Sequence, residues 1–351
     1  MSARPSAVMQ YNILDLPEHV GLKVLIMGWR LEPLFLWIAK ATKYWLDSIT
    51  FLGVAMSFFK VFGKKEEKEG EKTVTKKLRP SLDPNLSIEF VRKKGNQEQK
   101  ERLECILTNK KASDETLASL LEIQNPDGGF PYGFEKGRPS SIMDSLLALV
   151  RLEEYNFLDH ESVERIAQFL FSIQNNDGSW EEPAVIDQFN PPSWMKPGDL
   201  KAKVLSTAYT SFWLAKLNYT DRDELHDAID FLMKFVHPDG HFYGFLHTNW
   251  NAAAFLAMML GKDHWAVRGA LSYLKGVTSD SWVPSQLGWL LWCLASAGFS
   301  ANDPDVKYFL SILNRKQWED GSFEPENEGK EVETTIEIIK ALKLLGLIER
   351  T

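Results

Sequence analysis

IQNPDGGF at 123–130, IQNNDGSW at 173–180 and KQWEDGSF at 316–323 are three versions of one phrase, and VHPDGHF at 236–242 and TSDSW at 278–282 are shorter echoes of it. Their aspartates, Asp127, Asp177, Asp239, Asp280 and Asp320, are separated by 50, 62, 41 and 40 residues. Such spacing is the mark of an internal structural repeat. Glycine supplies the left-handed conformation that ends a helix, and aspartate bonds nearby backbone N–H groups, so each phrase reads as a turn. A helical pattern precedes each turn, for example Val163, Ile166, Ala167, Phe169 and Leu170. A more apolar helix follows it, as in SSIMDSLLALVRL at 140–152, KVLSTAYTSFWLAKL at 203–217 and PSQLGWLLWCLASAGF at 284–299. The predicted unit is outer helix, turn, inner helix. Five units recur and a sixth fits between 84 and 122, which predicts an all-α fold, an α/α toroid of five to six helix hairpins. The aromatic after each turn, Phe130, Trp180, Phe242, Trp282 or Phe323, is expected to seal one hairpin against the next.

Outside the repeats the chain changes character. KKEEKEGEKTVTKK at 64–77 is charged at ten of fourteen positions and has no apolar stripe, so it reads as a solvated linker. The expected organisation is amphipathic N-terminal helices over 1–63, linker and approach over 64–95, and the toroid over 96–351. Within 20–62 the longest uncharged run, Ser48 to Phe59, is too short for a membrane span. Its aromatics, Trp29, Phe35, Trp37, Trp45 and Phe58 among them, predict a face for a membrane surface, for a protein partner or for the toroid itself. A cytoplasmic protein, peripheral to the membrane if that face binds lipid, is the expectation.

The formal charge of −8 argues against a nucleic-acid partner, which needs a clustered basic surface. Cys105 and Cys293 stand alone without ligand spacing, so no metal site, disulfide scaffold or cofactor is expected. Twelve Trp and twenty-one Phe supply enough aromatic side chains to wall a cavity.

The QNPDGGF, QNNDGSW and QWEDGSF phrases resemble the QW-type repeats of squalene-hopene cyclases and the related repeats of protein prenyltransferase β subunits, over roughly residues 96–351. The resemblance implies an isoprenoid or other lipid as ligand. It also implies features that this chain lacks. The acidic DxDD of the cyclases is missing, and the inner helix from Lys203 reads KVLSTAYT without a carboxylate. The zinc-binding DxC of the prenyltransferases is absent as well. His247, in GFLHTNWNAAA, is similar in context to the diphosphate-binding histidine of that family, yet only Lys136 and Arg138 stand for its basic cluster. The thioester proteins that share the ring carry GCGEQ, which is not found here.

Asp144, in the first turn of an inner helix, is the expected acid, and Glu333, at the equivalent place in the last repeat, the expected second acid. Two close carboxyls resist ionising together, which would keep one of them a proton donor. Helix capping explains both positions equally well. Tyr209, Phe212, Trp213, His247, Trp250 and Trp289 are the expected ligand-binding side chains, because π faces stabilise a carbocation without attacking it. The proline-rich insertion from Glu181 to Leu200 reads as a lid or a surface excursion. Three readings stand open: a terpenoid cyclase-like enzyme with an atypical acid, a non-catalytic lipid-binding or complex-subunit toroid, and a prenyl-diphosphate transferase that needs a partner chain.

Overall fold

A computed structural model describes residues 76–349. The expected amphipathic helices over 1–63, with their membrane or partner face, lie outside these residues, as does most of the charged linker.

The described residues form twelve α-helices and a single pair of two-residue strands. We number the helices α1 (Pro84–Lys94), α2 (Gln97–Thr108), α3 (Asp114–Leu121), α4 (Ile142–Glu154), α5 (Glu161–Ser172), α6 (Leu200–Lys216), α7 (Asp223–Met233), α8 (Leu246–Leu260), α9 (Trp265–Gly276), α10 (Pro284–Ser296), α11 (Pro304–Leu313) and α12 (Glu331–Leu344). They pair as outer and inner helices, and α1–α2 is the sixth pair anticipated between 84 and 122. Strands β1 (Phe130–Pro131) and β2 (Ser140–Ser141) bracket the loop that leads into α4.

The inner helices α2, α4, α6, α8, α10 and α12 pack in that order, and α12 returns to α1 and α2. Helices α6, α8 and α10 are buried over most of their surface, as helices crowded on two sides must be.

The turns explain the order. In four of them the glycine lies at positive φ, with Gly128 at 92°, Gly178 at 84°, Gly240 at 88° and Gly321 at 88°. A Cβ at Gly178 would stand 2.3 Å from the Asp227 carbonyl oxygen of α7, and one at Gly321 would stand 2.2 Å from that of Leu86 in α1. Each turn therefore presses backbone to backbone on the next outer helix, which only glycine allows. The glutamines finish the contact. Gln124 Nε2 donates to the Ser162 carbonyl at the start of α5 (3.2 Å), and Gln174 Nε2 to that of Glu224 at the start of α7 (2.7 Å). Gln317 Nε2 donates to the Asp83 carbonyl just before α1 (2.9 Å), so the last turn meets the first helix. Short backbone pairing of Lys77 and Arg79 with Gln317 and Glu319 reinforces that closure.

Candidate functional site

The loop between the first turn and α4 builds one cluster of carboxyls. Ser141 caps α4, its Oγ accepting from the Asp144 N–H at 3.1 Å. Glu182, two residues after Trp180, reaches back to the same helix start. It accepts from the backbone N–H of Ile142 (2.9 Å) and Met143 (2.8 Å) and from Ser141 Oγ (3.0 Å). These are N–H groups that a helix start leaves without intrahelical partners. Asp144 accepts from the Gly133 N–H at 3.2 Å. Gly133 and Phe134 both hold positive φ, 66° and 55°, and the second is costly for an aromatic residue. That local cost turns the Gly133 N–H toward the carboxyl.

Both carboxyls are buried. Burial pushes Asp144 up to about 6, and burial together with the Asp144 charge pushes Glu182 up to about 8. Near neutral pH the two hold one proton between them. Near neutral pH the lower value leaves the charge on Asp144 and the higher value leaves the proton on Glu182, which the helix-start donors hold in place. Beside them Tyr132 stacks on Phe189 at 5.3 Å between ring centroids, with the Arg138 guanidinium 5.7 Å and 4.8 Å from the two rings.

The expected aromatic side chains come together. Tyr209 meets Trp289 edge-on at 5.1 Å, Phe212 meets Trp292 at 5.1 Å and Trp213 meets Trp292 at 5.4 Å. His247 lies 4.8 Å from Trp250 and 5.4 Å from Trp289, and Trp250 lies 5.3 Å from Trp289. Helices α6, α8 and α10 thus share one buried aromatic cluster. Burial lowers His247 to about 3, so at neutral pH it presents an uncharged ring rather than the cation a diphosphate would need.

Glu333 is not paired with Asp144. Its carboxylate takes Arg102 at 2.7 Å and Gln99 at 2.8 Å, with Arg151 3.7 Å away. Against the cost of burial, the two guanidiniums lower it to about 2. It is an ionised anchor at neutral pH, and the carboxyl that shares the Asp144 environment is Glu182. Arg102 is fully buried and also holds Glu154, at 3.0 Å. Lys340 meets Glu154 at 3.1 Å and stands 4.6 Å from the Trp292 ring. Glu337, one turn after Glu333, belongs to this second ensemble but among the described residues has no hydrogen-bond partner on either carboxyl oxygen. Burial, and then the charges of Glu333 and Glu154, push it up to about 8.

Two carboxyls were thus missed in the sequence reading. Glu182 could have been sought as an acid just past a turn aromatic. Glu337 could have been sought as the i+4 partner of Glu333 on the same helix face.

No family model matches the chain, and no curated protein does. Solved structures do. The type II terpene cyclase MstE from Scytonema aligns at a TM-score of 0.52 and 15% identity, over 76% of this chain and 98% of that one. A variant of MstE in complex with the substrate geranylgeranyl dihydroxybenzoate aligns at 0.50 and 14%, over 76% and 97%. A protein from Actinoplanes aligns at 0.51 and 14%, over 75% and 98%. The chain therefore has a terpene cyclase-like all-α fold.

Proposed function

We propose that this chain is an isoprenoid-handling enzyme of the type II terpene cyclase kind, with Asp144 as its acid in place of a DxDD motif. The observation that carries this reading is the Asp144–Glu182 pair, two buried carboxyls that hold one proton at the start of an inner helix. Protonating an alkene needs a carboxylic acid kept neutral at the working pH. In the proposed step Asp144, in the protonated form it takes as pH falls through about 6, gives its O–H proton to one alkene carbon. The π pair forms the new C–H bond, and Asp144 becomes a carboxylate. The tertiary cation left on the other carbon is captured by the next alkene of the same chain, which forms a ring C–C bond. Loss of a proton from the final cation ends the sequence, so substrate and product are isomers. Aromatic faces such as Tyr209, Trp250 and Trp289 suit the cation, because they attract positive charge without attacking it. A geranylgeranyl chain is the first substrate to try, since the MstE variant holds one.

A second reading, binding without turnover, is favoured by the aromatic rings packing directly on one another. One experiment separates them. The full-length protein and its Asp144→Asn variant are incubated with linear isoprenoids of several lengths, and cyclic products are read by gas chromatography and mass spectrometry. The enzyme reading expects wild-type turnover that drops at least ~100-fold in Asp144→Asn with the fold intact. Equal turnover in both would remove Asp144 from the chemistry, and binding without products would favour the lipid-binding protein.

A further inference from the structure

We infer that Glu337 is a ligand-binding carboxyl on the inner face of α12, suited to the hydroxyl oxygen of an uncharged isoprenoid alcohol or prenylated phenol. The inference rests on the isoprenoid reading above and names the head group that such a ligand carries.

The first observation is an unmet bond. Glu337 is only 9% exposed, and among the described residues neither carboxyl oxygen has a hydrogen-bond partner. A buried carboxyl without partners is costly, and native interiors rarely keep one without a reason. Its neighbours Glu154 and Glu333 are bonded at 2.7 Å to Arg151 and Arg102 respectively. The cations nearby are thus committed elsewhere.

The second observation is position. Glu337 and Lys340, three residues apart, share one face of α12. Lys340 lies over Trp292 of α10, and Trp289 stands three residues before Trp292 on that helix. The two helices approach closely at Gly288, where a Cβ would come within 3.1 Å of Ile338 Cγ1. The carboxyl is therefore carried on the face that meets the tryptophan cluster. Glu154, which raises its pKa, lies ten residues along α4 from Asp144. At 1.5 Å per residue that is about 15 Å, so the second acid serves a different part of a ligand from the first.

The third observation is charge. Apart from Glu337, the ensemble has four formal cations, Arg102, Arg151, Lys216 and Lys340, and four formal carboxylates, Glu98, Glu153, Glu154 and Glu333. Every one of them takes part in an ion pair within the set. With Glu337 neutral the set is balanced, so a diphosphate or carboxylate head would bring an unmatched charge into a buried place. A hydroxyl brings none. It accepts a hydrogen bond from the Glu337 O–H and donates one to the other carboxyl oxygen.

The test uses the full-length protein and its Glu337→Gln and Glu337→Leu variants, titrated by tryptophan fluorescence with three probes. These are geranylgeraniol, geranylgeranyl diphosphate and the C20 polyene hydrocarbon that lacks the oxygen. Wild type is expected to bind the alcohol about tenfold or more tighter than the hydrocarbon, one hydrogen bond's worth of discrimination, and to bind the diphosphate more weakly than the alcohol. Glu337→Leu should erase the preference for the alcohol and leave the hydrocarbon affinity unchanged. Glu337→Gln, which keeps a donor and an acceptor, should retain part of it. Glu337→Leu should also melt at a higher temperature, because an unbonded polar group gives way to an apolar one. A wild-type preference for the diphosphate, or an alcohol preference that survives in Glu337→Leu, overturns the inference and leaves the Asp144 reading standing. Failure of wild type to bind any of the three probes overturns both.

Discussion

The two carboxyl ensembles of this chain answer the same problem in opposite ways. At the start of α4, Glu182 and Asp144 are met by N–H and O–H donors of the helix start and the Gly133 loop. Around Arg102, carboxylates are met by guanidinium and ammonium groups, which hold Glu333 down to about 2 and push Glu154 well below the carboxylate range. Dipoles and single hydrogen bonds leave a buried acid able to keep its proton, whereas full opposite charges remove it. Being acidic and sitting on an inner helix therefore does not make a proton donor. The partner decides, and Glu337 is the exception inside the charged ensemble because its neighbours' charges are already taken up.

The largest effect expected from breaking this contrast is at Arg102. Replacing it with Ala leaves the buried carboxylates of Glu154 and Glu333 short of their main counter-charge. Such a change costs about 3 to 5 kcal/mol. The denaturant midpoint of Arg102→Ala measures it, and a midpoint equal to wild type would show that the ensemble is not a structural anchor.

Glu333→Gln should cost less, about 1.5 to 3 kcal/mol, the range for a hydrogen bond to a charged group, because Arg102 keeps Glu154. Its pH signature is specific. Glu333 has a folded pKa of about 2 against an ordinary 4.5. Its contribution is therefore present above 4.5 and lost as pH falls through 2. Denaturation at pH 2, 3 and 5 should show a shallower acid loss in Glu333→Gln than in wild type. Parallel curves would mean that the acid loss has another source.

How much of this was legible in the sequence follows from the range of each interaction. The turns are local, since Asp177 bonds the Ser179 N–H two residues on and Gln174 the Gly178 carbonyl four residues on, so a short phrase reveals them. The place of Asp144 at a helix start is local too. The aromatic side chains recur at helical spacing, and their gathering follows once the helices are neighbours. The partner of Glu333 was not legible, because Arg102 lies 231 residues earlier, in a segment, QEQKERLECILT, whose polar residues look solvated. Glu182 sits in a proline-rich insertion and reaches back 40 residues to the N–H of Ile142, a contact that no helical period announces. Glu337 was hidden by its setting among Ile336, Ile338 and Ile339, where attention to helix starts passed over a mid-helix acid.

The smallest expected effect tests the donor-held pair itself. At pH 7 Glu182 is mostly protonated, so Glu182→Gln exchanges one neutral group for another and forgoes only part of the about 0.3 to 1 kcal/mol that an anion contributes at a helix start. The net change at pH 7 should therefore stay within about 1 kcal/mol. The slope with pH says more than the value. Glu182 has a folded pKa raised from 4.5 to about 8. Its contribution is fully present below 4.5 and is lost as pH rises through 8, since the folded state binds more protons than the unfolded one across that window. Wild-type stability should therefore decline between pH 5 and pH 8, and Glu182→Gln should flatten part of the decline. Glu337→Gln should flatten another part, because Glu337 is raised over the same window by burial and by carboxylates of the other ensemble. The two sets have no ionisable member in common, so their effects should add in the double variant. If Glu182→Gln leaves the wild-type slope untouched while Glu337→Gln removes it, the proton uptake belongs to the charged ensemble alone. Asp144 would then have no neutral partner to share a proton with, and the contrast between the two regions would fail at the site where the chemistry is proposed.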